Sequence, residues 1–270
     1  MEQCLRVVGA GDGPGRLKAC WERHVGRQGS AGVMNGGLDA LIDDIAAIPH
    51  SDPAGHPRVV VTGDFFLRFN PCFMEGVHEK YARHGIILVP VGLNELLLYG
   101  AYSGMAGAAR GWKVPPNSAR AIALACVRFY RPEGRNYLAH WAHYRWLEFY
   151  DRRYRGLFRR TGLLLGGSHD IARLYEQASR HLSPTIVGEA IPTVGKGVAA
   201  GEEGYDGIIA IGPFNCLPFR ISEAILKPYS LQKGMPVLTY ESDGFSVRPA
   251  FLRKVDVHVQ QVLANRRGRG

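Results

Sequence analysis

The stretch Gly207-Ile-Ile-Ala-Ile-Gly212, followed by Pro213-Phe-Asn-Cys216-Leu-Pro218, decides the fold of this chain. Its first half has the length and β-branched content of a buried strand. Its second half brings a cysteine after that strand, between two prolines that stiffen the turn. In an alternating α/β chain, ligands bind where the strands end, so Cys216 is a candidate metal or cluster ligand. The alternative is a small buried hydrophobic side chain, the common environment of a free cysteine.

Three further apolar runs alternate with helical patterns and extend this strand into an α/β fold. They predict strands near 59–62, 86–91 and 236–240, in addition to 207–211. Helical crossovers between such strands predict parallel pairing. We therefore expect two doubly wound parallel-sheet halves with a helical insertion between them. The expected divisions are an N-terminal helical segment with a linker (1–56), the first half (57–116), the insertion (117–169) and the second half (170–270).

The expected insertion is dense in aromatic residues that are interleaved with Arg and His. Rings at three- and four-residue spacing usually build a helical core. We expect Tyr137, Trp141 and Tyr144 to pack inward, with the arginines of 152–155 on the solvent side. The competing interpretation is a surface on which nucleic-acid bases stack.

The composition is that of an ordinary globular protein, with 46% hydrophobic and 21% charged residues among 270. No apolar run approaches the ~20 residues of a membrane span, and no signal-peptide pattern is found. We therefore expect a cytoplasmic protein without membrane association. The formal charge of +9 is concentrated in 145–160 and in the basic tail, which are typical of a solvated helix face and a frayed end. Specific nucleic-acid binding is not expected.

The cysteines are five in number and scattered, without C-x-x-C spacing. An odd count without a regular pattern argues against a disulfide framework and indicates reduced thiols. They are Cys4, Cys20, Cys72, Cys126 and Cys216.

Two segments carry an ordered set of motifs. The first is Val59-Val-Val-Thr-Gly-Asp-Phe-Phe-Leu-Arg-Phe-Asn-Pro71, an apolar strand followed by Gly-Asp, aromatic residues, Arg and an Asn-Pro turn. The second contains, in order, Gly188-Glu-Ala190, Gly195-Lys196, Tyr205-Asp-Gly207 and Pro213-Phe-Asn-Cys216-Leu-Pro218, and the acidic-Gly turn Asp243-Gly244 follows. In kind and order these motifs resemble the 2-hydroxyacyl-CoA dehydratase family and its activase-related iron–sulfur proteins. The resemblance spans about residues 57 to 264.

The resemblance implies a component of a low-potential electron-transfer system. A member of this family carries an iron–sulfur cluster, here expected to be of the 4Fe-4S type, and works with an ATP-hydrolysing activator that supplies the electron. A CoA thioester or another substrate that is hard to reduce receives it. The chain would then be a subunit or fragment of a lyase or reductase of the 2-hydroxyacyl-CoA dehydratase type.

The resemblance carries over one ligand, Cys216, to this chain. Cys72 stands where relatives more often have an aromatic or aliphatic residue, and it is a second candidate ligand from its position at the matching turn. Asn70, Glu189 and Asp243 are further candidates for cofactor binding, since they lie in turns or motifs around the expected crevice.

The expected ligand set is incomplete. Iron–sulfur clusters take about four thiolates, or fewer with an exogenous ligand on one iron. In larger relatives additional cysteines come from a region before the matched part, which this chain is expected to lack. A partner subunit or a second copy is therefore expected to complete the site. Lys196 either balances cluster charge or has no chemical role.

Two other classes of function stay open. A flavodoxin-like sheet can hold a nucleotide or a flavin at its switch point, and this needs no iron. The chain can also be a truncated, non-catalytic structural partner. Colour separates these classes, because a cluster protein is brown, a flavin protein is yellow and an empty module is colourless.

Overall fold

The computed structural model describes residues 1–26, 37–165, 170–186, 188–245, 247 and 249–268. The strands in this part of the chain are β1 (Arg58–Gly63), β2 (Ile87–Pro90), β3 (Gly207–Pro213) and β4 (Val237–Ser242). They pair in parallel in one sheet of order β2-β1-β3-β4. The predicted α/β class is confirmed. The strands of both predicted halves belong to a single sheet, because β1 pairs directly with β3.

Helices surround this sheet. Before and between the first strands they are α1 (Glu2–Val8), α2 (Gly13–Trp21), α3 (Leu38–Ala46), α4 (Phe65–Phe69) and α5 (Pro71–Arg83). The long connection from β2 to β3 holds α6 (Leu93–Ala108), α7 (Ala119–Val127), α8 (Pro132–Phe158), α9 (Ile171–Ser179) and α10 (Ala190–Ala199). The last two are α11 (Leu217–Lys233) and α12 (Pro249–Arg267).

The central strands are apolar throughout because both faces of the sheet are covered. Val59 and Val61 of β1 join Ile209 on one face, under α5 and α12. Val60 of β1 and Ile208 of β3 lie in the cluster on the opposite face, the side on which α10 and α11 pack. Successive side chains of a strand alternate between faces, so an unbroken β-branched run fills both layers of core.

The chain leaves the middle of the sheet in opposite directions. From β1 it passes through α5 to β2, and from β3 it passes through α11 to β4 on the other side. Parallel crossovers are right-handed, so these two helices must lie on opposite faces. The core clusters agree, since α5 packs on the face of Val59 and α11 on the face of Ala210. The direction therefore reverses between β1 and β3, and the gap between their carboxyl ends is the topological switch point.

The predicted helical insertion forms a second layer that packs on α10. As predicted, Tyr137 and Tyr144 of α8 are buried there and Trp141 is half-buried against them. The prediction for 152–155 is wrong in part, because Arg155 is half-buried and faces a cavity, whereas Arg152 and Arg153 are exposed. Arg155 lies about one helical turn after Asp151, so the two residues share one side of α8 and line the same cavity.

The N-terminal helices cover the outer edge of the sheet. Leu5 of α1 and Ile45 of α3 share one buried cluster with Ile87 of β2. Nowhere in the described ranges does a helix combine the length and the apolarity that a membrane span requires.

Gly63 ends β1 in a conformation that favours glycine, with φ of 100°. A Cβ atom there would lie 2.0 Å from the carbonyl oxygen of Ile211 in β3. The next residue, Asp64, donates its backbone N–H to the same oxygen at 2.8 Å. The carboxyl ends of the two central strands thus approach as closely as their backbones allow.

We predict that Gly63→Ala lowers the free energy of unfolding by more than about 2 kcal/mol, because strained backbone and a steric clash act together. Urea denaturation measures it. The control is Gly100→Ala, at an exposed position inside α6 with open space around the new methyl group. It is expected to raise stability by about 0.5–1 kcal/mol. A Gly63→Ala protein as stable as the wild type would show that the fold does not require the close approach of Gly63 to Ile211.

A buried tyrosine–histidine pair joins the two helices on one face of the sheet. Tyr81 of α5 and His258 of α12 are 0% and 1% exposed, and the hydroxyl of Tyr81 lies 2.5 Å from Nδ1 of His258. Burial lowers the pKa of His258 to about 4. It also lowers the pKa of His78, on α5, to about 4.

We predict that stability decreases as the pH falls below about 6.5, the ordinary pKa of histidine. Unfolded histidine then takes up a proton that folded His258 does not, so each such group costs up to ~1.4 kcal/mol per pH unit until about pH 4. Urea denaturation between about pH 6.5 and about pH 5 measures this slope. His258→Gln should reduce it, while His84→Gln, on the exposed end of α5, serves as the control. If the slope is unchanged in His258→Gln, the pH dependence of stability does not come from His258.

Candidate functional site

A cavity of about 200 Å³ lies where β1 and β3 end side by side. The end of β1 contributes Gly63 and Asp64, and the end of β3 contributes Pro213 and Cys216. This is the topological switch point, where open α/β sheets bind their ligands.

The turn after β3 holds Cys216 at this cavity. Asn215 has a left-handed backbone, with φ of 57°, and donates its N–H to Oε1 of Glu241 at 3.0 Å. Cys216 donates its own N–H to the carbonyl of Pro213 at 3.2 Å and is the N-cap of α11. Its side chain is half-buried, lining the cavity and touching the apolar cluster of Phe219. The thiol is therefore neither enclosed in the core nor free in solvent.

Two motifs that are distant in the sequence meet at the cavity. Gly188 has φ of 92°, and a Cβ atom on it would lie 3.0 Å from Cγ of Pro218, which follows the cysteine turn. Glu189 precedes α10 and lines the same cavity with Thr193 of that helix. The Gly-Glu-Ala segment and the Pro-Phe-Asn-Cys-Leu-Pro segment thus contact each other and line the same cavity.

Arg68 is the buried cation beside this cavity, with 5% of its surface exposed. Its Nε donates to the carbonyl of Val91 at 2.9 Å, and its Nη1 donates to the carbonyl of Gly63. Burial lowers its pKa, against the opposing effect of Glu189, Glu95 and Asp64. Arg68 therefore ties the end of β1 to the chain that follows β2.

The pKa of the Glu189 carboxyl group is raised, whereas that of Arg68 is lowered. Burial raises its pKa, Arg68 opposes this, and the Asp64 carboxylate adds to the rise. Asp64 itself accepts the N–H of Leu67 at 2.9 Å and caps α4. Glu189 consequently holds a proton more readily than an ordinary glutamate, at a cavity that also contains a thiol.

The other predicted site residues lie outside this cavity. Cys72 is exposed in the first turn of α5, and Asn70 caps that helix by accepting the Cys72 N–H at 3.0 Å. Asp243 accepts the N–H of Phe245 at 3.3 Å in the turn after β4. Lys196 lies within α10, 5% exposed, with its Nζ 2.5 Å from Oε2 of Glu203. Of the predicted set, Cys216 and Glu189 are brought together.

The cavity is lined by few side chains of the kinds that bind metal ions. Within the described ranges, no three His, Cys, Asp or Glu side chains form a group that could hold a metal ion. The cavity itself is lined by one thiol and two carboxylates, those of Cys216, Asp64 and Glu189. A cluster at this position would therefore take one thiolate from the cavity wall.

Exposed apolar side chains follow the ends of three strands, and sequence reasoning missed them. We call this group the apolar rim: it consists of Phe66 after β1, Phe214 and Leu217 after β3, and Phe245 after β4. The exposed fractions of its members are 58% for Phe66, 67% for Phe214, 71% for Leu217 and 69% for Phe245. Exposed apolar groups that cluster on one face mark interaction surfaces. A signal of this surface in the sequence was the group Phe65, Phe66 and Phe69 around Arg68. So short a helix has more large apolar side chains there than one buried face can hold.

Comparison with known proteins gives no further guide, since no protein-family model, curated protein or solved structure matches this chain.

Proposed function

We propose that this chain is the cluster-bearing component of a low-potential electron-transfer system of the 2-hydroxyacyl-CoA dehydratase type. It would be a subunit or fragment of a lyase or reductase and would work with an ATP-hydrolysing activator in the cytoplasm.

One observation carries the proposal. The two sequence segments that support the family resemblance line one cavity together, the first through Asp64 and the second through Glu189 and Cys216. Asp64 is more than a hundred positions from the other two along the chain, and the pairing of β1 with β3 brings its strand end beside that of Cys216. Core packing alone does not require a half-buried thiol beside two carboxylates at a switch point.

Cys216 would be the ligand that this chain supplies at the cavity, and Cys72 is the second candidate. A 4Fe-4S cluster, when bound, supplies a store for one electron at low potential and takes about four thiolates. The missing ligands would come from a partner subunit or a second copy of the chain. The apolar rim supports such docking, because it lies on the same edge of the sheet as Cys216.

Glu189 and Arg68 would serve the same cavity without binding the cluster. Glu189 can hold or release a proton at its carboxyl group, since burial raises its pKa. Arg68 would fix the wall of the cavity through its two backbone carbonyl partners, and its charge would moderate that of the surrounding carboxylates.

A flavodoxin-like flavin or nucleotide module is the second candidate, and the switch-point position favours it. The charges of the cavity disfavour a flavin or nucleotide, because the described lining contains two carboxylates and no Lys or Arg. A phosphate group there would face like charges. We rank this function second because the resemblance of the sequence motifs supports the cluster-bearing function.

We predict that Cys216→Ala removes most of the iron and sulfide from the protein purified anaerobically together with its native partner. The matched control is Cys126→Ala, which removes an exposed thiol from α7 and should retain both elements in full. Cys72→Ala tests the second candidate in the same assay. Full retention of iron and sulfide by Cys216→Ala would refute the assignment. A yellow protein without iron would favour the flavin module.

A further inference from the structure

A second cavity, of about 460 Å³, lies between the sheet and the helical insertion, and the proposed function does not use it. Its floor is formed by Val60 and Val89 of the central and outer strands, and α6 and α8 form its sides. Such a volume is typical of small-molecule sites. Among the described residues, it shares none of its lining with the cavity at Cys216.

The walls of this second cavity are mostly apolar. Aliphatic side chains from α6, α8 and the segment after α8 face it, and aromatic rings of α8 line one side. The aliphatic lining includes Leu147 and Leu165, and the rings are those of Tyr150, Tyr154 and Phe158. A ligand in this space would bury an apolar body against them.

Three of the residues that line the cavity are buried polar groups. Lys196, Glu95 and Tyr205 are 5%, 1% and 2% exposed, and Nζ of Lys196 lies 5.7 Å from the centre of the Tyr205 ring. Burial lowers the pKa of Lys196, but Glu95, Tyr205 and Glu203 outweigh it and the net pKa is raised. Lys196 is therefore a charged donor with three N–H groups, one of which is directed to Glu203 at 2.5 Å.

The charges around the cavity balance. Its described ionisable lining consists of two cations, Lys196 and Arg155, and two carboxylates, Glu95 and Asp151, together with tyrosines. A ligand with a net charge would be buried here without a counter-charge, which is costly. A neutral ligand avoids this cost and can accept a hydrogen bond from Lys196.

We propose that this cavity is a binding site for a neutral, largely apolar carbonyl compound, whose oxygen accepts a hydrogen bond from Lys196. The apolar body lies along α8, between Leu147 and Leu165. This site does not depend on the cluster-bearing function, and its test involves neither iron nor an activator.

Four probes with one naphthalene body test the ligand class: 2-acetylnaphthalene, 2-naphthoate, 2-naphthylmethylammonium and naphthalene itself. Ligand-observed NMR titration of the full chain gives the affinities. The neutral ketone should bind about tenfold more tightly than either ion, because each ion brings an unpaired charge. It should also bind more tightly than naphthalene, which lacks the acceptor. Equal or tighter binding of either ion, or no binding of the ketone, would overturn the proposal.

Three variants locate the site. Leu147→Trp and, independently, Leu165→Trp fill the cavity and should weaken ketone binding at least about tenfold. Leu231→Trp is the control, because Leu231 is 86% exposed on α11, and it should bind as the wild type does. Lys196→Met should reduce ketone affinity to that of naphthalene and leave naphthalene binding unchanged. Thermal unfolding verifies that each variant is folded. Wild-type ketone affinity in a folded Leu147→Trp or Leu165→Trp protein would place the binding elsewhere.

Discussion

The pairing of β1 with β3 is the constraint on which the rest of the structure depends. Residues Val59 to Gly63 pair with Gly207 to Ile211, across more than a hundred intervening positions. The buried carboxylate of Asp206 fixes one end of this pairing by accepting the N–H of Arg58 at 2.9 Å. Gly63 fixes the other end, since it allows the backbones to meet at Ile211. The switch point, and with it the cavity at Cys216, exists because these two strands are neighbours.

Much of this fold could be predicted from the sequence, because local patterns specify strands and helices. The β-branched runs at 59–62 and 207–211 identify both central strands correctly. Their union in one sheet could not be predicted in the same way. Pairing between distant strands depends on a long-range contact that leaves no local pattern, so the sequence alone suggested two sheets.

The candidate site was predictable to a similar extent. The position of Cys216 after a strand predicts the edge of the sheet on which it lies, and Glu189, a candidate from the resemblance, meets it there. It does not predict the distance between two turns on that edge, and Cys72 lies outside the cavity as an exposed residue of α5. The burial of Arg68 was also not predictable, because it depends on carbonyl groups of two separate strand ends.

The central claim is that the thiol of Cys216 ligates iron, and the electron paramagnetic resonance spectrum of reduced Cys216→Ser tests it most directly. A serine oxygen can replace a thiolate at a cluster, so iron is retained in part while the electronic environment changes. In protein purified anaerobically with its native partner, we expect a spectrum that is clearly shifted from that of the wild type. A variant with full cluster content and a spectrum identical to the wild type would contradict it.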